Sequence, residues 1–204
     1  MIYLEEMRAE FGARKIDRLL AHVMECTGYA FNDARLLVQA FLRENYINEH
    51  RGCSLSSYQV LEYVGDKYLD AVLAKKIYCI TNKFTNGDIA LIKAEYGSVE
   101  GYCTAVNNIL AEGITEAVIS AINHLDEYLF LGNDKTIGDK EKEDVLEALI
   151  GAIAIDSGYN INKIDSAIEH LYSLDDCQKT CLVSVINKDD LATHIMSYFQ
   201  QKCS

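Results

Sequence analysis

From residue 58 to 78 the chain reads YQVLEYVGDKYLDAVLAKKIY, with no proline and one glycine, Gly65. Leu61, Val64, Tyr68 and Val72 recur at spacings of three and four, and Leu69, Leu73 and Ile77 fill the adjoining stripe. That periodicity predicts one helix of about six turns. Apolar residues around almost the whole circumference predict that it packs among other helices, with the rest of the chain organised around it. A second apolar helix is expected over 143–157, EDVLEALIGAIAIDS. Shorter helices are expected over 2–11, and over 14–26 with Ile16, Leu19, Leu20 and Val23 inward and Gly28 as the stop. Asn32 or Asp33 is read as the cap of the next helix, whose apolar face is Leu36, Leu37, Ala40 and Phe41. Further helices are read from Asn86 or Asp88 to about 97, then over 98–111, 114–123 and 162–173. Residues 45–57 and 132–140 read as polar loops, with Ser56 or Ser57 capping the long helix. Leu182, Val185, Ile186, Leu191, Ile195, Met196 and Phe199 predict a last helix, about 188–201, docked on the body. Strand-like alternation is scarce and proline is absent, so the expected fold class is all-α.

The polar positions on these helices are costly. Glu62, Asp66 and Asp70 form a line at i, i+4 and i+8. Like charges at that spacing repel, so the line needs a cation, a solvated face or a raised pKa. Asp144 and Glu147 repeat the choice at i, i+3, with Gly151 one turn on. Gly65 and Gly151 let a second backbone come close, at a helix-propensity cost of about 1 kcal/mol each. Two such helices in contact would aim four carboxylates at one spot, which calls for a hard divalent ion, Mg²⁺ or Mn²⁺. The competing reading is four solvated carboxylates; against it, both pairs sit on nearly all-apolar helices.

Residues 58–73 resemble the signature stretch of the ribonuclease III family, glutamate-aromatic-aliphatic-glycine-aspartate, present as Glu62-Tyr63-Val64-Gly65-Asp66. Residues 144–159, DVLEALIGAIAIDSGY, resemble the family's second acidic segment, and TGYAFNDARLLVQAF at 27–41 its entry segment. The resemblance implies a ribonuclease III-like helical endonuclease domain that cleaves double-stranded RNA with Mg²⁺ (Mn²⁺ a substitute). It implies products with 5′-phosphate, 3′-hydroxyl and short 3′ overhangs, from a homodimer in which each subunit cuts one strand. Carried over residue by residue, it makes Glu62, Asp66, Asp144 and Glu147 the catalytic metal-binding set and puts Lys140 near the scissile phosphate. The dimer contact is expected on the central helix at Val64, Tyr68 or Val72. Gln59, where bacterial members carry glutamate and Dicer-like members glutamine, leans the resemblance towards the eukaryotic branch. Lys93 and Ser98 lie where the family has a polar RNA-facing segment, but LIKAEYGSVEGY lacks its paired asparagines and neither is assigned a role. Asp70 is read as supporting or exposed. The domain is expected over 1–173, followed by a short helical extension over 174–204. That extension is too short for the double-stranded-RNA-binding domain of many members, which needs about 65–70 residues. The alternative is a catalytically silent member used as a dimerisation or ribosome-associated module; silent members tend to lose acids from the set, and this chain keeps all four.

A net charge of −12 over 204 residues opposes a broad nucleic-acid surface, because phosphate contacts need lysine and arginine. Local positive potential is expected instead from Lys135, Lys140 and Lys142. Seven cysteines without a dense framework predict reduced thiols and a cytoplasmic or nuclear location. The N-terminus MIYLEEMRAEFGARK has no apolar stretch and is not read as a signal peptide. No apolar run reaches the roughly 18 residues of a membrane span. The five histidines are scattered and read as structural, and Cys177 with Cys181 as thiols rather than half of a zinc site. There is no P-loop, dinucleotide-binding turn or nucleophile elbow.

Overall fold

The structure is a computed structural model that describes residues 1–82, 85–110 and 113–172. In chain order its helices are α1 (Leu4–Phe11), α2 (Ala13–Thr27), α3 (Ala34–Gln39), α4 (Glu44–Glu49), α5 (Gln59–Thr81), α6 (Asn86–Tyr96), α7 (Val99–Leu110), α8 (Gly113–Ile122), α9 (Asp139–Asp156) and α10 (Ile161–Leu171). A single turn of 3-10 helix, Leu125–Tyr128, lies between α8 and α9. Among the described residues there is no β-strand, only two isolated bridges, so the fold is all-α as expected. No described helix is long and apolar enough to cross a membrane. α2 buries Ile16, Leu19 and Val23 and ends at Gly28, which is left-handed. Asp33, rather than Asn32, caps α3, its carboxylate accepting the Arg35 N–H at 2.9 Å.

The helix that the others surround is α9, not α5. Every residue from Asp144 to Ala154 is buried, and α3, α5, α8 and α10 all pack against it. Ala148, Gly151, Ala152 and Ala154 keep α9 thin enough for neighbours to approach on all sides. α5 is equally apolar, yet one side of it is open: Val60, Tyr63 and Tyr78 are 66–68% exposed. Composition alone does not say which of two apolar helices is enclosed; the helices that pack around each decide it.

α5 and α9 cross backbone to backbone at their glycines. A Cβ on Gly65 would lie 1.7 Å from the Glu147 carbonyl oxygen, and one on Gly151 would lie 2.0 Å from that of Leu61. The start of α5 is fixed by Tyr58, whose N–H donates to the Leu42 carbonyl at 2.9 Å. Before α9, Gly138 N–H donates to Glu141 Oε2 at 2.9 Å, and the other oxygen of that carboxylate pairs with Arg43.

Three expectations differ from the structure or lie beyond it. Residues 45–57, read as a loop, begin with α4, which buries none of its residues and so shows no apolar period. It is held by Tyr46, which stacks on His50 and packs edge-on against Phe130. Val72 is 0% exposed and belongs to the core, so it is not available to a partner. The extension over 174–204, with its helix at 188–201, lies outside the described residues.

Candidate metal centre and its cleft

Because α5 and α9 touch at Gly65 and Gly151, acids near the crossing share one space. Glu62, Asp144 and Glu147 each offer an oxygen within 4.8 Å of the others. Asp144 and Glu147 are buried and Glu62 is half-buried. Asp66, the fourth expected member, stands near enough to act on Glu147, but its carboxylate pairs with the neighbouring Lys67 at 2.5 Å. Asp70 is exposed. Lys140, one turn before Asp144, donates to Asp144 Oδ1 at 2.8 Å and keeps a largely exposed side chain.

Beside these acids a cleft of about 640 Å³ is lined by Arg43, Asn45, Gln59, Glu62, Lys140 and Asp144, among others. Arg43 is held by the Thr136 carbonyl and Glu141, each at 2.9 Å. Of the other lysines expected to supply positive potential, Lys135 donates to the Leu131 carbonyl and Lys142 pairs with Asp139.

The electrostatics follow from this crowding. Burial first, then the charges of Asp66, Glu143 and Glu62, hold Glu147 well above the ordinary carboxylate range. Burial also raises Glu62, with Asp144 adding to the effect. Lys140 is raised in turn by its hydrogen bond to Asp144. A set of three carboxylates, two of them buried, that outnumbers the Lys140 cation paired with Asp144 suits a hard divalent ion.

Three residues of this region were not read from the sequence as functional. The Tyr58 hydroxyl donates to Asp144 Oδ2 at 3.2 Å, so both oxygens of Asp144 are oriented. Glu143 and Glu116 form a second group with Glu147, again within 4.8 Å. Glu143 could have been found, since it stands four residues before Glu147. Tyr58 and Glu116 carry no local signal, because only the packing brings them near. Ser98, left without a role, accepts the Gly101 N–H at 2.9 Å and caps α7. His22, His50 and His170 bond to backbone carbonyls and His124 to Glu127, in keeping with the structural reading. His194, Cys177 and Cys181 lie outside the described residues.

Residues 59–158 match the family model described as "Ribonuclease III domain". Ribonuclease 3 of Roseburia hominis is 32% identical over 168 residues, covering 74% of this chain and 46% of the relative. Ribonuclease 3 of Treponema succinifaciens is 29% identical, covering 76% and 42%. Ribonuclease 3 of Francisella tularensis is 34% identical over 135 residues, covering 65% and 50%. The chain thus spans about half the length of the curated relatives it matches. Two structures of the nuclease domain of ribonuclease III from Campylobacter jejuni superpose with TM-scores of 0.56 and 0.57. Both are 20% identical and cover 74% of this chain, with 95% and 92% of their own length. At that identity the likeness speaks for the fold. These relatives are bacterial, so the lean towards a Dicer-like branch gains no support; one amide at Gln59, lining the cleft, is too little to assign a branch.

Proposed function

We propose, from the premise that this chain carries a ribonuclease III domain, that it is a divalent-metal-dependent endonuclease for double-stranded RNA acting as a homodimer. The observation that carries this reading is the convergence of Glu62, Asp144 and Glu147, from two helices, beside a cleft that Lys140 also lines. Glu62, Asp144 and Glu147 would hold the metal, with Asp66 joining from the same face of α5. Mg²⁺ or Mn²⁺ bound there supplies the positive charge that activates a water and neutralises the departing 3′-oxygen. The protein's own residues prepare for that. Tyr58 orients Asp144, and the Gly65–Gly151 crossing fixes the spacing of the acids. Lys140, which lines the cleft while paired with Asp144, meets the scissile phosphate. Products carry 5′-phosphate, 3′-hydroxyl and short 3′ overhangs.

The dimer reading is supported by the open side of α5. Val60 and Tyr63 stand exposed there, Val64 and Tyr68 are half-exposed, and Tyr68 stacks on the exposed Tyr159 of the α9–α10 turn. One of the two Campylobacter structures is described by flexibility in a region involved in dimer formation. A second reading, a silent dimerisation module, is favoured by the net charge of −12. Incubating the chain with a labelled duplex RNA in Mg²⁺ and in EDTA decides between them. Cleavage in Mg²⁺ alone is expected; an intact duplex in both, with metal bound, establishes the silent module.

A further inference from the structure

Glu116 belongs to α8, not to the helices that carry the cleft acids, and it is 4% exposed. Its carboxylate makes no hydrogen bond or ion pair with a described residue. It points at Glu143 and Glu147 of α9, with an oxygen from each of the three within 4.8 Å of the others. None of the three lines the cleft. The lysines among the neighbouring acids are engaged elsewhere, Lys140 with Asp144 and Lys67 with Asp66. One turn further along α8 the Ser120 hydroxyl is fully buried and has no partner. Ser120 stands four residues after Glu116 and so shares its side of α8.

We propose that Glu116, Glu143 and Glu147 form a second divalent-cation site, buried between α8 and α9 and sharing only Glu147 with the proposed metal centre. Unpartnered buried carboxylates are strongly unfavourable, and facing one another they add repulsion. A hard cation turns both terms favourable, and carboxylate and hydroxyl oxygens are the donors that Mg²⁺ and Mn²⁺ take. The ion ties α8 to α9 and holds Glu147 from the Glu116 side. Its role is to position Glu147 of the proposed metal centre without touching the RNA.

Manganese is the probe. Mn²⁺ bound per chain is counted by calorimetric titration and by the electron paramagnetic resonance of the free ion, on the parent chain and single variants. Glu116→Gln is expected to bind one Mn²⁺ fewer per chain than the parent, with that ion's affinity weakened more than about tenfold. Glu143→Gln, a half-buried position that accommodates an amide, is expected to lose the same ion and decides the matter should Glu116→Gln not fold. Asp144→Asn is expected to keep it, along with the rise in melting temperature that Mn²⁺ produces through α8 and α9. An unchanged count in folded Glu143→Gln and Glu116→Gln overturns the second site. A count that falls in Glu116→Gln but not in Asp144→Asn upholds it while removing the cleft as a metal site, so the two readings fail separately.

Discussion

Glu147 stands where two sets of carboxylates meet, and changing it to glutamine takes one charge from each while keeping the side chain's shape. Glu147→Gln is expected to lower single-turnover cleavage of duplex RNA by at least about 100-fold, more than the loss of an outer-shell partner would cost. Circular dichroism should show an unchanged helical fold, so undiminished turnover in saturating Mg²⁺ would remove Glu147 from the metal set. The same crowding sets a pH dependence in metal-free protein. Glu116 and Glu147 are both raised by burial and by neighbouring carboxylates, so the folded state binds protons that the unfolded state has released. Their contribution is fully present below the unfolded carboxyl pKa and is lost as pH rises through the raised folded values. In EDTA the melting temperature should therefore decline as pH climbs above the ordinary carboxylate range, and Glu116→Gln should flatten the decline. A melting temperature that instead climbs over that window would show that both groups are ionised at no cost in the fold.

Between elements, the contact that matters most is the crossing of α5 and α9. Glycine is required at both positions because the atom a side chain would meet is a backbone carbonyl oxygen, which cannot rotate away. Gly65→Ala or Gly151→Ala is expected to destabilise the protein by about 3 kcal/mol or more through overpacking. That corresponds to a fall of about 6–12 °C in melting temperature. Any folded fraction should cleave slowly, since spreading the helices separates Glu62 from Glu147. Gly52→Ala is the control: a Cβ there meets nothing within 4 Å. Its thermal melt should match the parent within about 0.5 kcal/mol, and an equally mild melt for Gly65→Ala would refute the close crossing.

For the whole molecule, the open stripe of α5 governs assembly. Val60 and Tyr63 are the large apolar residues that the chain leaves most exposed on that helix in its cleft half, and Tyr159 extends the patch from the α9–α10 turn. Light scattering at micromolar concentration should give twice the 22.9 kDa chain mass. Tyr63→Glu should reduce it to the monomer by burying a charge without a partner. Val72→Ala should leave the mass alone and cost about 1–3 kcal/mol of stability, because Val72 is in the core. A parent chain that is monomeric and fully active would end the dimer reading.

Apolar period, the two lines of acids and the two glycines are properties of neighbouring residues along a helix, and for that reason the sequence by itself determined most helices, the all-α class and the acids of α5 and α9. It also determined that Gly65 and Gly151 admit a close backbone, since no other residue leaves that room. α4 escaped because a helix of six residues that buries none of them leaves no period to read. Only the tertiary structure decided that α9 is enclosed and α5 is open, since that depends on how many neighbours each helix has. Asp66 turns to Lys67, and Val72 faces inward, for reasons of packing that spacing does not express. Glu116 and Tyr58 lie far along the chain from the acids of α9 that they approach. Their roles exist only once α8 and the start of α5 have docked on α9, because electrostatic neighbourhood is set by distance in space rather than by separation in sequence.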